Sequence, residues 1–134
     1  MNAIWQQTIL VLPAALHREA ELARAHLFDV CDAQQGEQYA ALFDDVVFAQ
    51  RAAKLFACSS FAAQLCRRYP AWLLELHRAG DLDRSLSSHD FAARLRAQLS
   101  DCDNLDAGDG VDALDRTLRQ FRNREYLRSS WRDL

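Results

Sequence analysis

Apolar residues in this chain recur at intervals of three and four, and almost nowhere at intervals of two. Leu16, Ala20, Ala23, Leu27 and Val30 form one such stripe, which has the period of an amphipathic helix. Before it, the pattern predicts a short helix up to Val11, because the residue preceding Pro13 is pushed out of the α region. A second helix is expected to open at Pro13, where a fixed φ suits the first turn. Gly36 falls in the break expected after Val30. Leu42 to Phe56 reads as helix again, with Phe48, Ala52, Leu55 and Phe56 inward. The pattern pauses at Cys58-Ser59-Ser60, where Ser60 is the expected N-cap of a helix carrying Phe61, Leu65 and Cys66. Tyr69-Pro70 starts another, with Trp72, Leu73 and Leu76 toward the core and Gly80 as its C′ residue. Phe91, Leu95 and Leu99 predict a further helix, capped by Ser88 or His89-Asp90. The one β-like run, Thr8 to Leu12, is cut by the proline. Four glycines, two prolines and abundant alanine, leucine, arginine and glutamine agree with helix throughout. The expectation is an all-α fold, an irregular helical bundle of five to seven helices, in one domain spanning residues 1–134.

The last helix is expected to open at Val111, with Asp112 and Asp115 against its positive end. Val111, Leu114, Leu118 and Phe121 make a core stripe. Leu127, Trp131 and Leu134 then lie on another side, while Arg128 and Arg132 continue the line that Leu114 and Leu118 began. A helix that buries one face early and another late needs two neighbours. The first is read as the bundle, the second as something beyond this chain.

Charge narrows the partners. The chain carries a net charge of −3, so no global field draws it to nucleic acid or an anionic membrane. One lysine stands against fifteen arginines, which reads mainly as GC-rich coding bias. Nine of the fourteen aspartates lie in residues 81–115, and SDCDNLDAGDG, residues 100–110, is expected to be an acidic, glycine-bearing surface loop. The opening residues lack a basic n-region, and their apolar run is too short for a signal peptide or a membrane span. Cys31, Cys58, Cys66 and Cys102 show no C-x-x-C spacing and suit free thiols in a reducing cytoplasm. The four histidines cluster neither with one another nor with cysteine, so no metal site is expected.

Three stretches offer chemistry and fall short of it. GDLD, Gly80 to Asp83, holds an Asp-x-Asp pair of the kind that binds Mg²⁺ in nucleotidyl transfer. It follows a helix instead of a strand and lacks a Gly-rich turn, so it reads as a helix end and turn. DAGDG at 106–110 lacks the alternating oxygen ligands and distal glutamate of a calcium loop. Arg119, Arg122, Arg124, Arg128 and Arg132, with Phe121 and Tyr126, could serve phosphate or RNA through guanidinium forks and stacking. Phe121 belongs to the core stripe, however, and Glu125 can pair with Arg122 or Arg128. A solvated or domain-contacting arginine face is therefore expected. No nucleophile motif or phosphate loop occurs, so no catalytic or cofactor-binding residue is assigned.

Two stretches carry a resemblance. In SSFAAQLCRRYPAWLLEL, residues 59–76, the positions Ser59, Phe61, Leu65, Tyr69, Pro70, Leu73 and Leu74 resemble a segment near the N-terminus of the bifunctional glutamine synthetase adenylyltransferase/adenylyl-removing enzymes. In LRQFRNREYLRSSWRDL, residues 118–134, Leu118, Arg119, Phe121, Arg122, Arg124, Glu125, Leu127, Arg128, Trp131, Asp133 and Leu134 resemble that family's arginine-rich helix. Ser60 stands where the family tends to have Asp, and Asn123 interrupts the arginine run. The resemblance implies the N-terminal segment that precedes the adenylyl-removing nucleotidyltransferase domain of a cytoplasmic enzyme several times longer. That enzyme regulates nitrogen assimilation by reversible adenylylation, using Mg²⁺ and ATP. This chain stops before the first catalytic Asp-x-Asp strand and would be silent alone. Its implied partners are glutamine synthetase and the catalytic domain, not nucleic acid or membrane. Arg119, Arg122, Arg124, Leu127, Arg128, Trp131 and Arg132 are the contact candidates. On this reading Leu127, Trp131 and Leu134 would be exposed in the isolated chain, whereas a buried Trp131 would favour a free-standing helical interaction module.

Overall fold

The computed structural model of the chain describes residues 3–83, 88–100 and 107–134. Among them are eight α-helices: α1 (Ala3–Val11), α2 (Ala14–Val30), α3 (Ala33–Phe43), α4 (Val46–Cys58), α5 (Ser60–Arg68), α6 (Pro70–Arg78), α7 (Ser88–Ser100) and α8 (Ala107–Asp133). A single 3₁₀ turn spans Asp81–Asp83, and no strand occurs among the described residues. The fold is all-α as expected, with one helix more than the five to seven anticipated.

Short polar side chains set the breaks. Asp32 caps α3 in a capping box, accepting from the Gln35 backbone N–H while the Gln35 side chain accepts from that of Asp32. Each half satisfies an orphan donor of the first turn. Gly36 therefore lies inside α3, not in the preceding break, which is confined to Cys31 and Asp32. Asp45 caps α4 through Val47 and Phe48, dividing what the apolar pattern ran together as Leu42–Phe56. Ser59, one residue before the expected Ser60, caps α5 through the Ala62 N–H. Gly80 has a φ of +75°, the left-handed geometry that ends α6 as expected. The acidic stretch behaves differently from its reading as a loop: residues 107–110 already belong to α8, and residues 101–106 of that expected loop lie outside the described residues.

The core is centred on α4, which buries Phe48, Ala49, Ala52, Ala53, Leu55 and Phe56. Its alanines let α1 and α2 approach closely, since interaxial distance follows the side chains between helices. An unbroken series of rings crosses the bundle. Trp5 of α1 meets Phe43 of α3 edge-on at 5.4 Å, Phe43 meets Phe48 at 5.3 Å, and Phe48 meets Trp131 of α8 at 4.9 Å. Such pairs stabilise by about 0.5–1.5 kcal/mol beyond the area they bury. The Arg24 guanidinium sits over three rings, Trp5, Phe28 and Phe43, at 4.7–5.3 Å. Burial lowers its pKa. Tyr39, wholly buried, donates its hydroxyl to the Pro70 carbonyl and fixes α3 to the start of α6.

Candidate functional site

Helix α8 carries every contact candidate read from the sequence. It is 27 residues long, and the side it turns to the bundle is not the one the apolar stripe indicated. Leu127 and Trp131 are 0% and 3% exposed, and Arg128 is buried with them. Leu114 and Leu118, expected in the core, are 39% and 40% exposed. At about 100° per residue, the two leucines sit roughly 140° around the axis from Leu127 and Trp131. The inward line runs instead through half-buried Thr117 and Arg124 to buried Leu127, Arg128 and Trp131. The proposed second neighbour for Leu127 and Trp131 is thus corrected: α4, α5, α6 and the 3₁₀ turn of this chain supply it. Leu134 alone of the late stripe is exposed.

The line escaped the sequence reading because two of its members are arginines. Arg128 donates through Nε to the Glu125 carboxylate at 2.8 Å, with both side chains largely buried. Arg124 reaches across to Glu75 of α6 at 2.9 Å. An arginine can bury its aliphatic stem while its guanidinium keeps a partner, so an apolar pattern cannot register it. Of the two pairings expected for Glu125, the structure forms the one with Arg128.

The other candidates diverge. Arg119 pairs with Asp115 one turn back at 2.6 Å, on an exposed surface. Arg132 binds its neighbour Asp133 and lines a cleft of about 300 Å³ between α4 and α8, together with Val47, Gln50, Arg51, Lys54 and Leu134. Arg122 is exposed. Beside it on the outer surface lies an aromatic pair the sequence did not suggest. Phe61 is 44% exposed and meets Tyr126 edge-on at 5.0 Å, while the Tyr126 hydroxyl lies 3.1 Å from Ser59 Oγ. The Ser59 cap thus also positions Tyr126. A tyrosine, a phenylalanine and an arginine gathered on a surface have the make-up of a protein-contact hot spot. Phe121 is half-buried against Phe91 of α7.

GDLD is engaged in structure. Asp81 is buried and receives both Nη groups of Arg94, at 2.8 and 3.1 Å. This hydrogen bonding is the main reason the Arg94 pKa is raised. Cys31, Cys58 and Cys66 are free thiols, and burial pushes the Cys66 pKa up to about 12. Among the described residues, no three His, Cys, Asp or Glu side chains converge as a metal site requires, and no helix is long and apolar enough to cross a membrane.

With this geometry in place, similarity to known proteins identifies the chain. The Glutamate-ammonia ligase adenylyltransferase family profile matches residues 49–134, from α4 to the end of α8. The chain belongs to this family. Among curated relatives, the bifunctional glutamine synthetase adenylyltransferase/adenylyl-removing enzyme of Pseudomonas aeruginosa is 38% identical over 81 residues, covering 60% of this chain and 8% of the relative. That of Thioalkalivibrio sulfidiphilus is 41% identical over 81 residues, with the same coverage. That of Nitrosococcus oceani is 31% identical over 134 residues, covering 97% of this chain and 12% of the relative. The chain therefore spans about a tenth of the length of these relatives. No solved structure matches it.

Proposed function

We propose that this chain is the N-terminal helical portion of a glutamine synthetase adenylyltransferase/adenylyl-removing enzyme, a cytoplasmic regulator of nitrogen assimilation. It has no active site of its own and supports the catalytic domain or positions glutamine synthetase. The family match through α8 carries this reading. Nucleotidyl transfer, with its Mg²⁺ and ATP, belongs to the rest of the enzyme. The contact surface is the outer side of α8, where Arg119 and Arg122 adjoin the Phe61–Tyr126 pair, with Arg132 at its end. Leu127, Arg128 and Trp131 serve it indirectly, by seating the helix.

A second reading is a free-standing helical interaction module of the same ancestry. The burial of Leu127 and Trp131 within the chain favours it, because the last helix needs no outside neighbour to cover them. The mass of the native protein separates the two. An antibody raised to residues 1–134 should detect a band several times larger than 15.3 kDa if the first reading holds. A band near 15.3 kDa in the native cells would overturn it in favour of the module.

A further inference from the structure

Helix α7 is fastened unlike any other helix in the chain. None of its residues 89–99 is buried, although Leu95 and Leu99 are half-buried, and its described residues contribute nothing to the core cluster. One aromatic contact, Phe91 on Phe121, joins it to α8, and Phe91 remains exposed. A charged contact fastens it as well. Arg94 places both Nη groups on the Asp81 carboxylate, whose side chain is only 10% exposed. Glu125 of α8 also acts on Arg94 electrostatically, and Glu125 is itself held by buried Arg128. The Asp81–Arg94 ion pair thus joins α7 to the 3₁₀ turn, with the Glu125–Arg128 pair of α8 near enough to act on it electrostatically. Asp90 adds a further carboxylate from α7.

We propose that α7 is a flap, held on the bundle by this ion pair in place of an apolar core, and that it detaches without unfolding the rest. The geometry favours a clasp because a two-pronged guanidinium–carboxylate contact is directional and strong when partly shielded from water. It favours independent release because α7 covers no core side chain with a buried residue of its own. A 13-residue helix freed from its neighbours is marginal in water, so release melts it. Opening uncovers Asp81 and the flank of α8 at Phe121.

Hydrogen exchange of backbone amides in the full chain, read by mass spectrometry of peptides, tests the clasp. With Arg94→Met, peptides within residues 91–99 should exchange roughly tenfold faster, the effect of losing hydrogen bonds to a charged group. Peptides from α4 should keep their rates. Arg94→Lys retains the charge without the fork and should fall between. Unchanged exchange in residues 91–99 of the Met variant would overturn the proposal. So would an equal acceleration in α4, since the ion pair would then belong to the global fold.

Discussion

Leu118 and Leu127 pose one chemical question twice on a single helix. Leu127 is fully buried, whereas Leu118 is 40% exposed. Truncating each to alanine removes the same atoms and changes helix propensity equally, so the difference isolates burial. Leu127→Ala leaves a cavity where α8 packs on the bundle and should cost about 2–5 kcal/mol. Leu118→Ala gives up only part of a side-chain transfer energy of about 1.5–3 kcal/mol, with no enclosed cavity, and should cost about 1 kcal/mol. A domain of this kind has a total stability of about 5–15 kcal/mol, so the first change is severe and the second mild. Urea unfolding followed by far-ultraviolet circular dichroism resolves them. With a slope of about 1–3 kcal/mol per molar urea, the Leu127→Ala midpoint should drop by about 1–3 M, and the Leu118→Ala midpoint by well under 1 M. The slope itself should not change. Equal losses, or a larger loss at Leu118, would refute the assignment of the buried face and restore Leu114 and Leu118 to the core.

Further outcomes follow from local geometry and burial. Gly36 lies inside α3 with nothing within 4 Å of a β-carbon added there, so Gly36→Ala should stabilise by about 0.5–1 kcal/mol; Gly80→Ala, at φ +75°, should destabilise by about 1 kcal/mol in the same urea assay. Cys58 is exposed and should react readily with a thiol reagent at neutral pH, whereas buried Cys66 should react only on unfolding. Its folded pKa of about 12 exceeds the ordinary 9.0, so above pH 9 the unfolded chain loses the proton first. Stability should fall as pH rises from 9 toward 12, and Cys66→Ala should flatten that slope.

Most of the fold was legible because its breaks have simple chemical causes. Pro13, Ser59 beside Ser60, Pro70 and Gly80 punctuate the chain where their backbone preferences dictate, and the apolar stripes of α2 and α4 follow the helical period. The errors have physical causes too. Asp45 caps a helix that the apolar pattern ran together with its predecessor, and Asp32 one whose start the pattern did not place, because an aspartate reads equally well as surface. Gly36 suggested a break, but a capping box just before it carries the helix through the glycine. Arginine hid the most. Read as coding bias, it includes Arg24 among three rings, Arg94 on Asp81, and Arg124 and Arg128 on the buried side of α8.

That last point changes what the arginine-rich helix signifies. Of the residues through which it resembles the family, Leu127 and Trp131 fill the core, Glu125 and Arg128 neutralise each other beneath the surface, and Arg124 ties α8 to Glu75. These five positions specify how the helix sits on its own bundle. A guanidinium buried at 4% exposure must have its partner present, since an unpaired buried charge costs several kcal/mol. Arg128 and Glu125 therefore constrain each other and the helix phase together, more tightly than leucines at the same sites would. Arg119 and Arg122 remain outside this set, on the same outward side as Tyr126. The signature thus divides into one part that seats the helix and another left facing solvent. Only the solvent-facing part is available to another protein surface, and substitutions of Arg119 and Arg122 should alter association while leaving the urea midpoint of the chain in place.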